Sequence, residues 1–242
     1  MINIAQLALR TQSQFSRPLV GLKWAQTLDG QLADDEGKSK WISGAEELNY
    51  THELRAQFDG VLVGASTFLA DFSKLTVRSR PVLKQPIRVI FDPRNRVLTE
   101  FKLRNALVIE ALSDPARPTL ILNTLESRSV ELIAGLVYSV GLVRGELSAE
   151  SLRAIADFSL EVLNRDFNSV MVEGGPTTLK LFLNRNLVDV ACVGIAPILT
   201  GGLTNRIQLM QGLDQAYRMQ HHSTRSHGQD TVIEMVHRSL VS

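Results

Sequence analysis

Short apolar runs, each bounded by turn residues, recur along this chain with helical stretches between them, and this alternation restricts its fold more than any other feature. Gly60-Val-Leu-Val-Gly64 is the clearest, a run with no polar face, which reads as a buried strand. Leu19–Ala25, Ile87–Phe91, Thr119–Leu122, Ser169–Val172 and Val188–Ala196 read the same way, with Ala106–Ile109 as a shorter candidate. Between them, Ser43 with Glu46 has the form of a capping box opening a helix through about Gln57. Ser148 is placed to cap a long helix whose Leu152, Ile155, Ala156, Ser159, Val162 and Leu163 recur at helical spacing. A further helix is expected from Thr177 to about Asn186. Strand following helix is the pattern of an α/β fold. Thr231–Val236 alternates instead and reads as a late antiparallel strand, so the expected sheet is central, mixed and flanked by helices.

Nothing along the chain marks a linker or a repeat, and 242 residues can surround a single core. The expected organisation is an irregular lead-in over 1–16 and one domain over 17–242. A net charge of +1 argues against a general nucleic-acid surface, which needs concentrated basic patches. The absence of a long apolar run or a signal-like N-terminus points to a cytoplasmic protein with no membrane partner. Cys192 is the only cysteine and lies in an apolar run, where a buried structural thiol is the better reading than a reactive one. His52, His221, His222, His227 and His237 show no metal-ligand spacing, so no metal is expected.

The most informative local feature is Val170-Met-Val-Glu-Gly-Gly-Pro-Thr-Thr-Leu179, a strand that breaks at paired glycines and restarts as a helix. Glycines permit close backbone approach, and the positive helix end favours an anion such as a dinucleotide pyrophosphate. A tight strand-to-helix turn with no ligand explains the same residues equally well. The glycine spacings of the Rossmann fingerprint and the P-loop are both absent.

A second constellation runs through Ser39-Lys-Trp-Ile-Ser43, Leu54-Arg-Ala56, Val63-Gly-Ala-Ser-Thr67, Asp71 and Leu75-Thr-Val-Arg78. With Leu28-Asp-Gly30, Glu173-Gly-Gly-Pro176, Leu187-Val-Asp189 and Ala196–Gly202, the order of these motifs closely resembles the reductase domain of the bacterial bifunctional riboflavin-biosynthesis deaminase/reductase, over about residues 18–202. The resemblance implies a dihydrofolate-reductase-like fold and a homodimer. It implies an NADPH-dependent oxidoreductase that reduces 5-amino-6-(5-phosphoribosylamino)uracil to its ribitylamino product, with hydride delivered to C1′ of the ring-opened ribose. It further implies that Trp41, Thr67, Asp71, Gly174, Gly175, Pro176, Thr177, Thr178 and Leu179 meet the cofactor. Ser39, Arg55, Leu75, Arg78 and Glu173 fall where the family holds its substrate, and Asp71 and Glu173 are carried over as catalytic. Arg55 and Arg78 then suit the 5′-phosphate and Glu173 the pyrimidine N–H donors.

Each assignment has a structural rival: Arg55 as a solvated helix arginine, Trp41 as a core anchor, Asp71 as a helix-end cap and Thr67 as an N-cap. The chain carries no zinc-deaminase signature, so deamination is not expected of it. Ala70-Asp-Phe-Ser73 departs from the family's Ala-Asp-Asp-Pro, and Pro93 in Asp92-Pro-Arg-Asn-Arg96 stands where a serine is common. Arg94 or Arg96 is a candidate for an adenosine 2′-phosphate, as an exposed turn is for the same residues. Two alternatives stay open: reduction of 2,5-diamino-6-ribosylamino-pyrimidinone 5′-phosphate, and a silent nucleotide-binding paralogue.

Overall fold

The computed structural model describes residues 1–34, 42–124, 129–202 and 216–241. Its strands are β1 (Leu19–Thr27), β2 (Gly60–Gly64), β3 (Ile87–Phe91), β4 (Thr119–Asn123), β5 (Val130–Ile133), β6 (Val137–Gly141), β7 (Ser169–Val172), β8 (Val190–Ala196), β9 (Met219–His227) and β10 (Asp230–His237). They form one sheet in the order β5-β6-β4-β3-β2-β7-β1-β8-β10-β9. From β6 to β8 all neighbours are parallel, while β10 runs antiparallel to β8 and to β9, and β5 antiparallel to β6. The sheet is therefore mixed, as the alternating pattern of Thr231–Val236 implied.

The helices are α1 (Ile4–Phe15), α2 (Ala45–Arg55), α3 (Ala65–Asp71), α4 (Arg96–Lys102), α5 (Ala106–Leu112), α6 (Ala149–Leu163) and α7 (Pro176–Asn184). They lie on both faces, which is why β2, β3, β4 and β7 are buried end to end and read as mainly apolar runs. Alternation within a strand sends neighbours to opposite layers. Val61 and Val63 join Leu54 of α2, Phe68 of α3 and Leu112 of α5, while Leu62 joins Leu152 of α6 and Phe182 of α7. Each such side chain contributes about 1.5–3 kcal/mol by leaving water.

Three expectations are corrected here. The lead-in is not irregular: residues 4–15 form α1, with Asn3 as its N-cap and Ile4, Ala8 and Thr11 buried along one stripe. Ala106–Ile109 is helix rather than strand, because Asn105 caps it at the Leu107 N–H and a four-residue apolar run carries no period that tells the two apart. The capping box at Ser43 does not form; Gly44 is the N-cap of α2, and its own N–H donates to Asp230 Oδ2 at 2.7 Å. Ser148 does cap α6, accepting from the Ser151 N–H at 3.2 Å.

The topology fixes where a ligand can sit. β7 follows β1 and β2 in sequence yet lies between them, so the direction of strand addition reverses around it. In open α/β sheets such a reversal opens a crevice beyond the carboxyl ends of the strands. The Leu187-Val-Asp189 motif lies at the other end. There Asp189 is buried and takes a bidentate contact from Arg17 at 2.6 and 3.0 Å and the Val20 N–H at 2.8 Å, which ties β1 to the start of β8.

Candidate active site

Glu173 follows directly on β7, and its N–H donates to the Leu62 carbonyl at 2.8 Å, so the sheet itself sets where this residue stands. Its carboxylate faces α2, where Arg55 grips it with two parallel contacts, Nε to Oε1 and Nη2 to Oε2, both 2.6 Å. The fork-on-fork geometry is the strong form of this interaction. The remaining guanidinium nitrogen, Nη1, donates to the Thr76 carbonyl at 3.0 Å. Burial alone would raise the Glu173 carboxyl, but Arg55, with Lys23 and His52 behind it, holds it below its ordinary value. Glu173 is thus an ionised acceptor with lone pairs to spare, since two oxygens offer about four acceptor sites.

Lys23, near the middle of β1, forms a buried pair with Glu47 of α2 at 2.6 Å. Room for it comes from Gly194 on β8, where a Cβ would stand 2.8 Å from Glu47 Oε1. The sequence reading passed over both residues. The available signal was a lysine inside an apolar strand, which is expensive to bury unless something specific answers it. His52 accepts from the Arg78 N–H through Nδ1 at 3.2 Å, and burial, then Arg55 and Arg78, push its pKa down.

The other wall is backbone. Gly175 is the N-cap of α7, no side chain caps it, Pro176 opens the helix and the first turn holds no acid. The two glycines differ. A Cβ on Gly174 would lie 2.6 Å from the Thr178 Cβ, so packing requires that glycine, whereas a Cβ on Gly175 would meet nothing within 4 Å. An uncapped helix start of positive polarity, bordered by open space, fits the phosphates of a dinucleotide. The turn is therefore fit for the nicotinamide cofactor that the sequence resemblance implied, with Gly175, Pro176 and Thr177 at its edge.

The other expected site residues divide. Ser39 and Trp41 lie outside the described residues. Arg55, expected on a phosphate, meets Glu173 and Thr76 in this structure, because α2 lays it against the end of β7. Leu75 is buried and left-handed at φ 53°. Arg78 is exposed, its Nη1 3.3 Å from Thr76 Oγ1. Thr67 lies half-buried inside α3 and is not its N-cap, which is Gly64. Asp71 ends α3, exposed, and accepts from both the N–H and the hydroxyl of Ser73. Its partner is thus the serine that departs from the family pattern, while the C-cap of α3 is Phe72. Thr178 and Leu179 are buried on the inner face of α7, leaving Thr177 exposed. Arg96 donates to Ser66 Oγ at 2.7 Å, and Arg94 is exposed. Cys192 is buried, and that burial pushes its thiol up to about 12, out of reach of thiolate chemistry at neutral pH. Among the described residues, no helix is long and apolar enough to cross a membrane.

A family model described as the RibD C-terminal domain matches residues 18–233. The riboflavin biosynthesis protein RibD of Aquifex aeolicus is 34% identical over 90% of this chain and 57% of its own length. The 2,5-diamino-6-ribosylamino-4(3H)-pyrimidinone 5′-phosphate reductase of Methanothermobacter thermautotrophicus is 32% identical over 90% of this chain and 97% of its own. The crystal structure of a diaminohydroxyphosphoribosylaminopyrimidine deaminase/5-amino-6-(5-phosphoribosylamino)uracil reductase from Thermotoga maritima superposes with a TM-score of 0.73 at 26% identity, over 95% of this chain and 59% of that one. The chain thus spans about half the length of the RibD proteins it matches.

Proposed function

Because the chain belongs to the RibD C-terminal domain family, we propose that it is a reductase of riboflavin biosynthesis that uses NADPH to reduce 5-amino-6-(5-phosphoribosylamino)uracil. The observation that carries this reading is the Arg55–Glu173 pair standing one residue before Gly174-Gly175-Pro176 at the end of β7. A fixed, ionised acceptor and an anion-receptive helix start then face the same crevice. When bound, NADPH supplies the hydride that C1′ of the ring-opened ribosylamine accepts.

The protein's own groups orient the reaction. Glu173 accepts from the N–H groups of the aminopyrimidine and so fixes the ring. Arg55 acts through Glu173, keeping it ionised and in one rotamer, and is a positioning residue rather than a phosphate ligand. Arg78, exposed at the mouth, meets the 5′-phosphate. Gly175 and the first turn of α7 receive the cofactor pyrophosphate, and Arg94 is the free candidate for the 2′-phosphate, since Arg96 is occupied by Ser66. The homodimer and the cytoplasmic location implied by the resemblance belong to the same proposal; a monomer mass by light scattering would remove the first.

A second reading is favoured by one observation, the match of this chain to 97% of the length of a stand-alone diaminopyrimidinone phosphate reductase. NADPH oxidation measured with the aminouracil and the diaminopyrimidinone in turn decides between them. Tight NADPH binding without turnover of either compound would instead make the chain a silent binding protein.

A further inference from the structure

Two opposite charges stand side by side at the end of β7, yet each is paired elsewhere. Leu22 of β1 pairs in register with Val172 of β7, so the residues that follow, Lys23 and Glu173, are lateral neighbours on strands about 4.8 Å apart. Both side chains turn to the α2 face, where they meet different partners. Glu173 takes Arg55, and Lys23 takes Glu47 at 2.6 Å. Glu47, Thr51 and Arg55 recur at four-residue spacing, so one stripe of α2 carries both partners across the ends of β1 and β7.

Stability is a poor explanation of the Lys23–Glu47 pair. Both side chains are buried, and taking two charges out of water can cancel what their attraction returns. Glu47 Oε1 also accepts from Thr51 Oγ1 at 3.4 Å, while Oε2 is buried and has no hydrogen-bond partner among the described residues. The carboxylate fits over β8 only because residue 194 is glycine, since a Cβ there would stand 2.8 Å from Oε1 and 3.2 Å from Cδ. What the pair changes is the surroundings of Glu173. Without Glu47, the carboxylate beside the Lys23 ammonium is Glu173. The other groups around it offer no rival: Cys192, opposite Lys23 on β8, and Tyr50 of α2 are both pushed up by burial and stay neutral. Glu234, one strand further on β10, is already held by Tyr50, Ser223 and the Ile2 N–H.

We propose that Glu47 is a positioning residue that draws Lys23 away from Glu173 and so keeps the acceptor sites of Glu173 open to substrate. It rests on the proposed function in one respect, that Glu173 accepts from the aminopyrimidine. Lys23 turned to Glu173 would occupy a lone pair that Arg55 leaves free, and a substrate N–H would have to displace a charge-assisted contact to reach it. With Glu47 in place, Arg55 alone fixes the carboxylate from the α2 side, and its remaining acceptor sites face the crevice unclaimed by protein.

The test uses the full chain with Glu47→Gln, which keeps the size and removes the charge. Lys23 then turns, and a crystal structure of the variant shows its Nζ within hydrogen-bond distance of a Glu173 oxygen. KM for the aminopyrimidine rises on the order of tenfold, while NADPH affinity and melting temperature stay close to wild type. Glu47→Asp keeps the charge on a shorter stem and falls between the two. A merely structural pair behaves otherwise, with a lowered melting temperature and a wild-type KM in the folded fraction. That result overturns the proposal, as does a crystal structure in which Lys23 still faces residue 47. A Glu47→Gln chain that does not fold also overturns it, because a lysine with Glu173 in reach is not left stranded. The two readings separate. If wild type reduces neither aminopyrimidine, the proposed function falls, and the crystal structure still decides whether Glu47 holds Lys23 away from Glu173. Wild-type turnover with an unchanged KM in Glu47→Gln leaves the reductase and removes the role of Glu47.

Discussion

The two walls of the crevice are built from different materials. On the α2 side, charged side chains meet one another, Arg55 on Glu173 and Lys23 on Glu47, held within the protein and mostly out of water. On the α7 side the surface is bare backbone at Gly175, with no side chain offered and none in the way. Side chains can discriminate among hydrogen-bonding patterns, whereas a row of N–H groups at a helix start recognises charge and little else. Under the proposed function the contrast is a division of labour in which one wall selects the substrate and the other accepts a cofactor shared by many enzymes.

The largest effect that could break this comparison is on the side-chain wall. Glu173→Gln keeps the size but turns one acceptor oxygen into a donor, so the ring is misplaced; turnover is expected to fall on the order of 100-fold with NADPH affinity nearly unchanged. Wild-type turnover in a folded Glu173→Gln protein would reduce the pair to a structural tie. On the backbone wall, Gly175→Val is expected to weaken cofactor binding at least about tenfold, or ~1.4 kcal/mol, without loss of thermal stability. The φ of −66° suits any residue and the Cβ direction is open. Cofactor titration that returns the wild-type affinity removes the turn from the site.

Arg78→Ala is expected to lower kcat/KM for the phosphorylated compound by roughly tenfold or more while sparing the dephosphorylated one, since a lost charge-assisted contact matters only when its partner is present. Equal losses on both compounds would mean general damage. Gly174→Ala reverses the behaviour of its neighbour. Its Cβ would press on the Thr178 Cβ at 2.6 Å, so it is expected to destabilise by about 1–3 kcal/mol and leave the cofactor affinity of the folded fraction alone. If both glycine variants lose cofactor affinity and neither loses stability, the distinction between the two positions is wrong.

The smallest effect is on pH dependence. Arg55 holds Glu173 below its ordinary 4.5, so their pair contributes stability that is complete above that value and is lost as pH falls through the lower native pKa. His52 is shifted down as well, and its neutral form adds stability that fades as pH falls below its ordinary 6.5. Unfolding free energy measured across the acid range should therefore fall less steeply in Glu173→Gln than in wild type. Parallel curves would show that the carboxylate is no more ionised in the native state than in the unfolded chain.

How far the sequence could be read depended on whether the deciding interaction was local. The runs at Gly60–Gly64, Ile87–Phe91 and Ser169–Val172 coincide with strands because a strand buried on both faces is mainly apolar, its few polar members, Arg88 and Ser169, being buried with hydrogen-bond partners. β9 went unread for the complementary reason. Met219-Gln-His-His-Ser-Thr-Arg-Ser-His227 is exposed along most of its length at the sheet edge, has no apolar face, and is held by pairing with β10. α1 carried a legible stripe in Ile4, Ala8 and Thr11, but that stripe acquires meaning only from the core it packs on.

The same division runs through the site. The sequence by itself determined the turn at Glu173-Gly-Gly-Pro176 and the helix that starts there, since glycine freedom, a proline at the first helical position and the apolar run before it act within a few residues of chain. The tertiary structure alone decided the partners. Arg55 and Glu173 stand 118 positions apart, and the insertion of β7 between β1 and β2 is what brings them to 2.6 Å. An arginine shows in sequence only its reach and its charge. Whether it meets a phosphate, a neighbouring carboxylate or nothing follows from strand order, which is set by the packing of the whole sheet rather than by the residues beside it.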